Sequence, residues 1–338
     1  MVVLNHCWFA KMAARFVEFA SRRRYLLAAS ALLCLAAPAL LSQGRSESIT
    51  SSILTISSPL RDKFGGNKVH HDDEYVAICL SVRDQAPDLP EWLQHHYYNM
   101  GVNKFYIMDD GSKPPMSDFV DSYGIPREAL EFHYYDESQR VNYMQGKVYA
   151  ECSQFGQNST WMAFIDTDEF FDAPGPETLR EVLQTFEPIQ AIGAIGVSWR
   201  MHTSNGQLTR ADSVLKTYTE CIEDDDEHDG ENTDNKHIKS IVRVKNFESM
   251  ANPHKFNLKY NALTVGEHGD RIDHYAFRNP ITRDRLSLHH YAVKSKEEYV
   301  QKMNRGNGMT DPKGWEFWNH VEQEMAHVDC PEMTRWVH

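Results

Sequence analysis

Short apolar runs alternate with helical segments, and this constrains the fold more than any other feature. "YVAICLSV" (75–82), "KFYIMDD" (104–110), "ALEFHYY" (129–135), "WMAFI" (161–165) and "AIGAIGVSW" (191–199) each have the length of a strand. Runs without a polar face belong to strands covered on both sides, as in parallel sheets. Between them, "DLPEWLQHHYYNMG" (88–101) reads as a helix with a capping box at Asp88 and Glu91, Pro90 in its first turn and Gly101 at its end. "MSDFVDSYG" suggests a short helix, "SQRVNYMQGKVYAECSQFG" a long one and "ETLREVLQTFE" another. Strand and helix in alternation predict an α/β fold with a Rossmann-like, mostly parallel central sheet.

Ligands of such sheets bind beyond the carboxyl ends of the strands. Two runs end in acid there: Asp109 and Asp110 after one, and Asp166 and Asp168 in "WMAFIDTDEFF" after another. The two clusters are therefore expected to be neighbours. Carboxylates two apart on an extended chain point the same way, so Asp166 and Asp168 are expected to share one cation, with Glu169 on the opposite side. Oxygen ligands suit Mg²⁺ or Mn²⁺. Such an ion offsets the charge that builds on a departing diphosphate. An isolated DxD is more often an Asp-rich turn; a buried strand running straight into it favours the metal. Asp109 or Asp110 would accept from a ribose or base. Arg83 would face a diphosphate or pair with Asp84 or Glu91.

The N-terminus differs. Arg22, Arg23 and Arg24 precede the uncharged run "YLLAASALLCLAAPALL" (25–41). This reads as a signal-anchor with residues 1–24 cytoplasmic, or else as a cleaved signal peptide. Residues 42–72 read as a stem or linker, and 73–338 as the single catalytic domain. The chain carries 35 Lys and Arg against 48 Asp and Glu among 338 residues, a net charge of −13, which argues against nucleic-acid binding. None of the cysteines forms a CxxC pair. Cys152, Cys221 and Cys330 are available for one disulfide, in a pairing the spacing does not fix. Asn158 begins an N-glycosylation triplet. The acidic run 223–235 lacks the Gly and Glu positions of an EF-hand and reads as a solvated, mobile loop.

"LPEWLQHHYYNMGVNKFYIMDDGS", "WMAFIDTDEFF" and "LSLHHYAVKSKEEYVQKMNRG", in this order and spacing over roughly residues 75–310, resemble glycosyltransferase family 92 and its relatives of the GT-A fold. The resemblance implies a single-pass type II enzyme of the Golgi or secretory pathway. Such an enzyme transfers a sugar, often galactose from UDP-galactose, to a glycan acceptor with inversion. It implies the DxD role for Asp166 and Asp168, the strand-end acid role for Asp109 or Asp110, and a His-Tyr element at His290 and Tyr291 with Lys294 and Ser295. In GT-A enzymes a C-terminal His often completes the metal shell, and His290 is the expected third ligand beside Asp166 and Asp168. The alternative is an ordinary strand His. Ser295 and Glu298 form a capping box, so Lys294, Lys302 and Arg305 lie along one helix. There they meet the diphosphate or face solvent.

Inversion needs a general base, for which Glu267, Asp270 and Asp212 are candidates. Trp199 either stacks on an acceptor sugar or belongs to the core. The chain departs from the family at Arg83-Asp84-Gln85 and at Met201-His202, which leaves the acceptor open. Two other classes remain. A phosphotransferase or nucleotidyltransferase is disfavoured because no GxxxxGK[ST] occurs. A catalytically silent sugar-binding protein would share the fold.

Overall fold

A computed structural model describes residues 73–228, 230–309 and 313–337. The expected anchor at 25–41 and the linker lie outside the described residues. Among the described residues no helix is long and apolar enough to cross a membrane.

The strands follow the apolar runs: β1 Val76–Val82, β2 Lys104–Asp109, β3 Leu130–Tyr134, β4 Trp161–Phe164, β5 Glu169–Asp172 and β6 Ile192–Met201. The second half adds β7 Glu220–Ile222, β8 Ile238–Arg243, β9 Phe247–Asn252, β10 Lys255–Leu258, β11 Leu263–Val265, β12 Ser287–His290 and β13 His327–Asp329. The main sheet runs β3-β2-β1-β4-β8-β6-β12-β5, with β11 on the first half of β6. β3, β2, β1 and β4 are parallel to one another, and β6 and β12 run with them; β8 and β5 run against the rest. The carboxyl ends of β1, β2, β4, β6 and β12 therefore share one edge, with only β1 between the two acid clusters. This is the mostly parallel α/β sheet that the sequence predicts for a GT-A fold.

β1 shows why its run is almost wholly apolar. Ile78, Leu80 and Val82 pack with Trp92, Leu93, Phe105 and Ile107 on one face. Ala77 and Cys79 pack with Tyr106, Met108, Val148 and Tyr149 on the other. Burial on both faces leaves no polar face, and Ser81 is the one polar residue of the strand. Helix α1 (Leu89–Gln94) continues as a π turn over His95–Asn99 and covers the first face. Helix α2 (Met144–Phe155) covers the second, and a Cys79–Cys152 disulfide ties it to β1. A second disulfide joins Cys221 to Cys330. The sequence reading placed Cys79 in a strand without a partner.

Several local expectations change. The long helix is shortened to α2, because Tyr143 adopts φ 59° and separates it from a 3₁₀ turn at Glu137–Gln139. Asp88 and Glu91 form no capping box. Asp88 is 2.8 Å from Lys294 Nζ and 2.9 Å from Arg210. Glu91 instead accepts from Ser213 Oγ at 2.6 Å and Val214 N at 2.7 Å, at the start of α4 (Val214–Thr217). The remaining helices are α3 (Leu179–Phe186), α5 (Lys296–Arg305) and α6 (Trp315–Asn319). Thr178–Glu181 and Ser295–Glu298 do form capping boxes. The acidic run is pinned rather than loose: Asp224 pairs with Arg283 at 2.6 Å and Arg200 at 3.3 Å, and the Asn235 side chain accepts from Met201 N. Asn158 lies exposed in the turn before β4.

Candidate active site

The chain turns between β4 and β5, and that turn separates the acids. Asp166 Oδ2 is 2.7 Å from Lys239 Nζ, and its Oδ1 accepts from Gln145 at 3.2 Å. Asp168 Oδ2 is 2.6 Å from Lys302 Nζ, and its Oδ1 is 3.8 Å from His290 Nε2. The two carboxylates thus diverge, because residues 167–168 form a turn and the side-by-side geometry of an extended chain does not apply. Among the described residues, Asp166, Asp168 and His290 do not bring three ligand atoms within 4.8 Å of one another. Two hydrogen bonds hold the turn: Tyr291 N donates to Asp168 O at 2.8 Å, and the Gln85 side-chain amide donates to the Thr167 hydroxyl.

Electrostatics distinguish the three acids. Burial opposes the charge on Asp168, but the Lys302 ammonium outweighs it and holds the carboxyl well below the usual range. Glu169 is fully buried, and burial pushes its carboxyl up to about 8. It accepts from Asp166 N at 2.8 Å and so braces the turn. Burial also opposes the charge on Lys239, yet Asp166 and Glu169 hold the ammonium well above its ordinary value.

The adjacent histidines on β12 face opposite ways, as strand neighbours must. His289 Nδ1 is 2.8 Å from His202 Nε2, on the far side from Asp168. His290 faces Asp168, and burial keeps its imidazole well below its ordinary value, hence neutral. Its Nδ1 is buried without a hydrogen-bond partner. A carboxylate and a neutral imidazole 3.8 Å apart fit two ligands of one small divalent ion: ligands about 2.1 Å from such an ion stand about 3 to 4.2 Å apart. Asp168 and His290 therefore fit a cation as a pair, while Asp166 is turned to Lys239.

Beyond this pair lies a pocket edge built from Gln85, Asp88, Arg210, Lys294, Lys302 and Arg305. Lys294, a donor-site candidate, is buried in its pair with Asp88. Arg305 has no ion pair among the described residues; burial lowers its pKa against the pull of Asp88 and Asp168. Across β1, Asp109 spends both oxygens on Ser112 N and Met116 N, each at 2.8 Å, which fixes the turn after β2. Asp110 is the exploitable acid of the two: it pairs with Arg140 at 3.2 Å and keeps a buried Oδ1 without a partner. Arg83 lies 3.6 Å from Asp84.

Three candidates sit elsewhere. Glu267 is fully buried, accepts from Arg285 N at 3.1 Å and from Leu286 N, and lies before β12, at the opposite end from His290. Asp270 is bidentate to Arg278 at 2.7 Å. Neither is free to take a proton from an acceptor. Trp199 is only 5% exposed and packs against His237, His254 and His290, so it is core and offers no stacking face. Sequence reasoning missed Lys239. Its signal is a charge within the strand-like run "HIKSIV", at a position that is buried.

The glycosyltransferase family 92 model matches residues 74–326. A family 92 protein of Oryza sativa subsp. japonica is 25% identical over 291 residues, covering 81% of this chain and 46% of that protein. One of Arabidopsis thaliana is 22% identical over 254 residues, covering 70% of this chain and 41% of that protein. The chain thus spans less than half the length of these relatives. Among solved structures, a mannosyltransferase from Pyrobaculum calidifontis in complex with GDP-Man and Mn²⁺ is 16% identical with a TM-score of 0.31, covering 38% of this chain and 36% of that one. Mannosyl-3-phosphoglycerate synthase from Rubrobacter xylanophilus is 14% identical with a TM-score of 0.27, covering 40% and 43%. Likeness at that level extends to neither ligand nor mechanism. The match over residues 74–326 is decisive for the family: the chain belongs to glycosyltransferase family 92.

Proposed function

We propose that this chain is a metal-dependent glycosyltransferase that moves a hexose, galactose foremost, from a UDP-sugar to a glycan acceptor with inversion. The observation that carries the reading is the convergence of Asp168, His290, Lys302 and Arg305 on the strand-end edge that also holds Asp110. Asp110 would take the nucleoside half through its unpartnered oxygen. Lys302 and Arg305 would meet the diphosphate with positive charge. Asp168 and His290 would hold Mn²⁺ or Mg²⁺, which when bound offsets the charge on the leaving diphosphate. Glu169 and Lys239 keep the turn in place, so that Asp168 needs no reorganisation when the donor arrives. The proposal includes the membrane anchor at 25–41, a Golgi or secretory-pathway location and glycosylation at Asn158. The test is UDP release by the full chain from a panel of UDP-hexoses, with Mn²⁺ and with excess chelator. A catalytically silent sugar binder would release none.

A further inference from the structure

We infer that Asp234 is the general base that takes the acceptor's proton, an assignment that rests on the transferase reading above. The argument begins with elimination. Asp88 is neutralised by Lys294 and Arg210, Asp110 by Arg140, Asp166 by Lys239, Asp168 by Lys302, and Asp224 by Arg283. Asp109 is spent on backbone amides. A carboxylate already neutralised in this way is a poor proton acceptor. Asp234 differs. Its Oδ2 is 3.1 Å from His320 Nε2 and its Oδ1 is 3.8 Å from His237 Nδ1, and no Lys or Arg among the described residues pairs with it. Burial lowers the pKa of His237, which leaves that imidazole neutral.

Position supports the assignment. Asp234 begins the 3₁₀ turn that leads into β8. Trp199 N donates to His237 O at 2.9 Å, and the His237 ring stacks on Trp199 at 4.9 Å. Trp199 in turn lies 4.2 Å from the ring of His290, which faces Asp168. Asp234 thus stands beside the carboxyl end of β6, two ring contacts from the cation pair. Its side chain is 25% exposed, enough for a hydroxyl to reach. His320 is held from its other side: its Nδ1 is 3.0 Å from Glu324 Oε2, and Glu324 is 65% exposed.

The step balances. The acceptor O–H gives its proton to Asp234, and the freed electron pair of that oxygen forms the bond to the anomeric carbon. The bond from that carbon to the diphosphate oxygen breaks, and its pair leaves with UDP. Asp234, held by the His320 Nε2–H and one quarter exposed, then gives the proton to water. His320 touches no substrate and is a positioning residue.

The experiment uses the full chain, UDP-galactose and other UDP-hexoses, and Mn²⁺. UDP release is measured with water and with free monosaccharides as acceptors, beside equilibrium binding of UDP. Asp234→Asn keeps the side-chain shape and an oxygen for His320. The expected result is a fall in UDP release of roughly 10²–10⁴-fold with UDP affinity within about twofold of wild type. His320→Gln should cause a smaller loss and displace the acid limb of the pH–rate profile, which a purely structural contact would not move. Release by Asp234→Asn within about tenfold of wild type, or a loss matched by lost UDP affinity, overturns the base. No release by the wild-type chain from any UDP-hexose contradicts the transferase reading itself, and the base with it.

Discussion

Lys302 Nζ lies 2.6 Å from Asp168 Oδ2, and also donates to Ala292 O at 2.8 Å. One helix, α5, thereby delivers a cation onto the second acid of the DxD turn. The same carboxylate faces His290 through its other oxygen, so Asp168 joins the sheet edge to the helix that carries Arg305.

Under the proposed function Lys302 is a donor-binding residue. Lys302→Ala should raise the KM for a UDP-hexose by about tenfold, the loss of one charge-assisted contact of about 1.5 kcal/mol. Lys302→Arg should recover part of that loss. Isothermal titration with UDP, with and without Mn²⁺, checks it; unchanged UDP affinity in Lys302→Ala would remove Lys302 from the donor site.

His289 and His290 should separate cleanly. His289→Ala removes the bond to His202 inside the core and should lower stability by about 2–4 kcal/mol, with metal dependence retained. His290→Ala should raise the Mn²⁺ concentration needed for half-maximal UDP release by at least about tenfold. Denaturant melts and Mn²⁺ titrations of both variants decide between the roles.

Asp88 predicts a pH dependence. Burial opposes its charge, but Lys294 and Arg210 prevail and lower it from about 3.8 to about 2. A depressed carboxylate stabilises the fold above its unfolded pKa. This contribution, about 2 kcal/mol, is fully present above about pH 4 and is lost as pH falls through about 2. Asp88→Asn should be less stable at pH 7, and the gap should close toward pH 2. A gap that stays constant from pH 7 to pH 2 would show that the ion pair is not its source.

Asp88 and Glu91 also show where the sequence stops being legible. The strands were readable because both faces of β1 and β4 are buried and leave no polar face. The shared edge followed from strand alternation. The divergence of Asp166 and Asp168 was hidden, because a turn at 167–168 replaces the extended chain on which the two-residue rule depends. Asp88 and Glu91 have local capping spacing, yet Lys294, 206 residues away, and Ser213 take their carboxylates instead. Partners that distant leave no periodic trace. The sheet's alternation explains why His290 faces Asp168 and His289 does not.

Glu91 carries a further prediction. Glu91→Ala leaves Ser213 Oγ and Val214 N without their acceptor at the start of α4 and should cost about 1–2 kcal/mol. UDP binding should be unchanged. A loss below about 0.5 kcal/mol in urea denaturation would mean water replaces the carboxylate.

The most direct test of the central claim is Mn²⁺-dependent UDP release from UDP-galactose by the full chain, wild type against Asp168→Asn. The carboxamide nearly preserves shape but removes the charge that His290 and Lys302 face. The account predicts metal-dependent release by the wild type, and a loss of at least about 10²-fold in a variant that melts within a few degrees of it. Full release by Asp168→Asn, or full wild-type release in excess chelator, would contradict it.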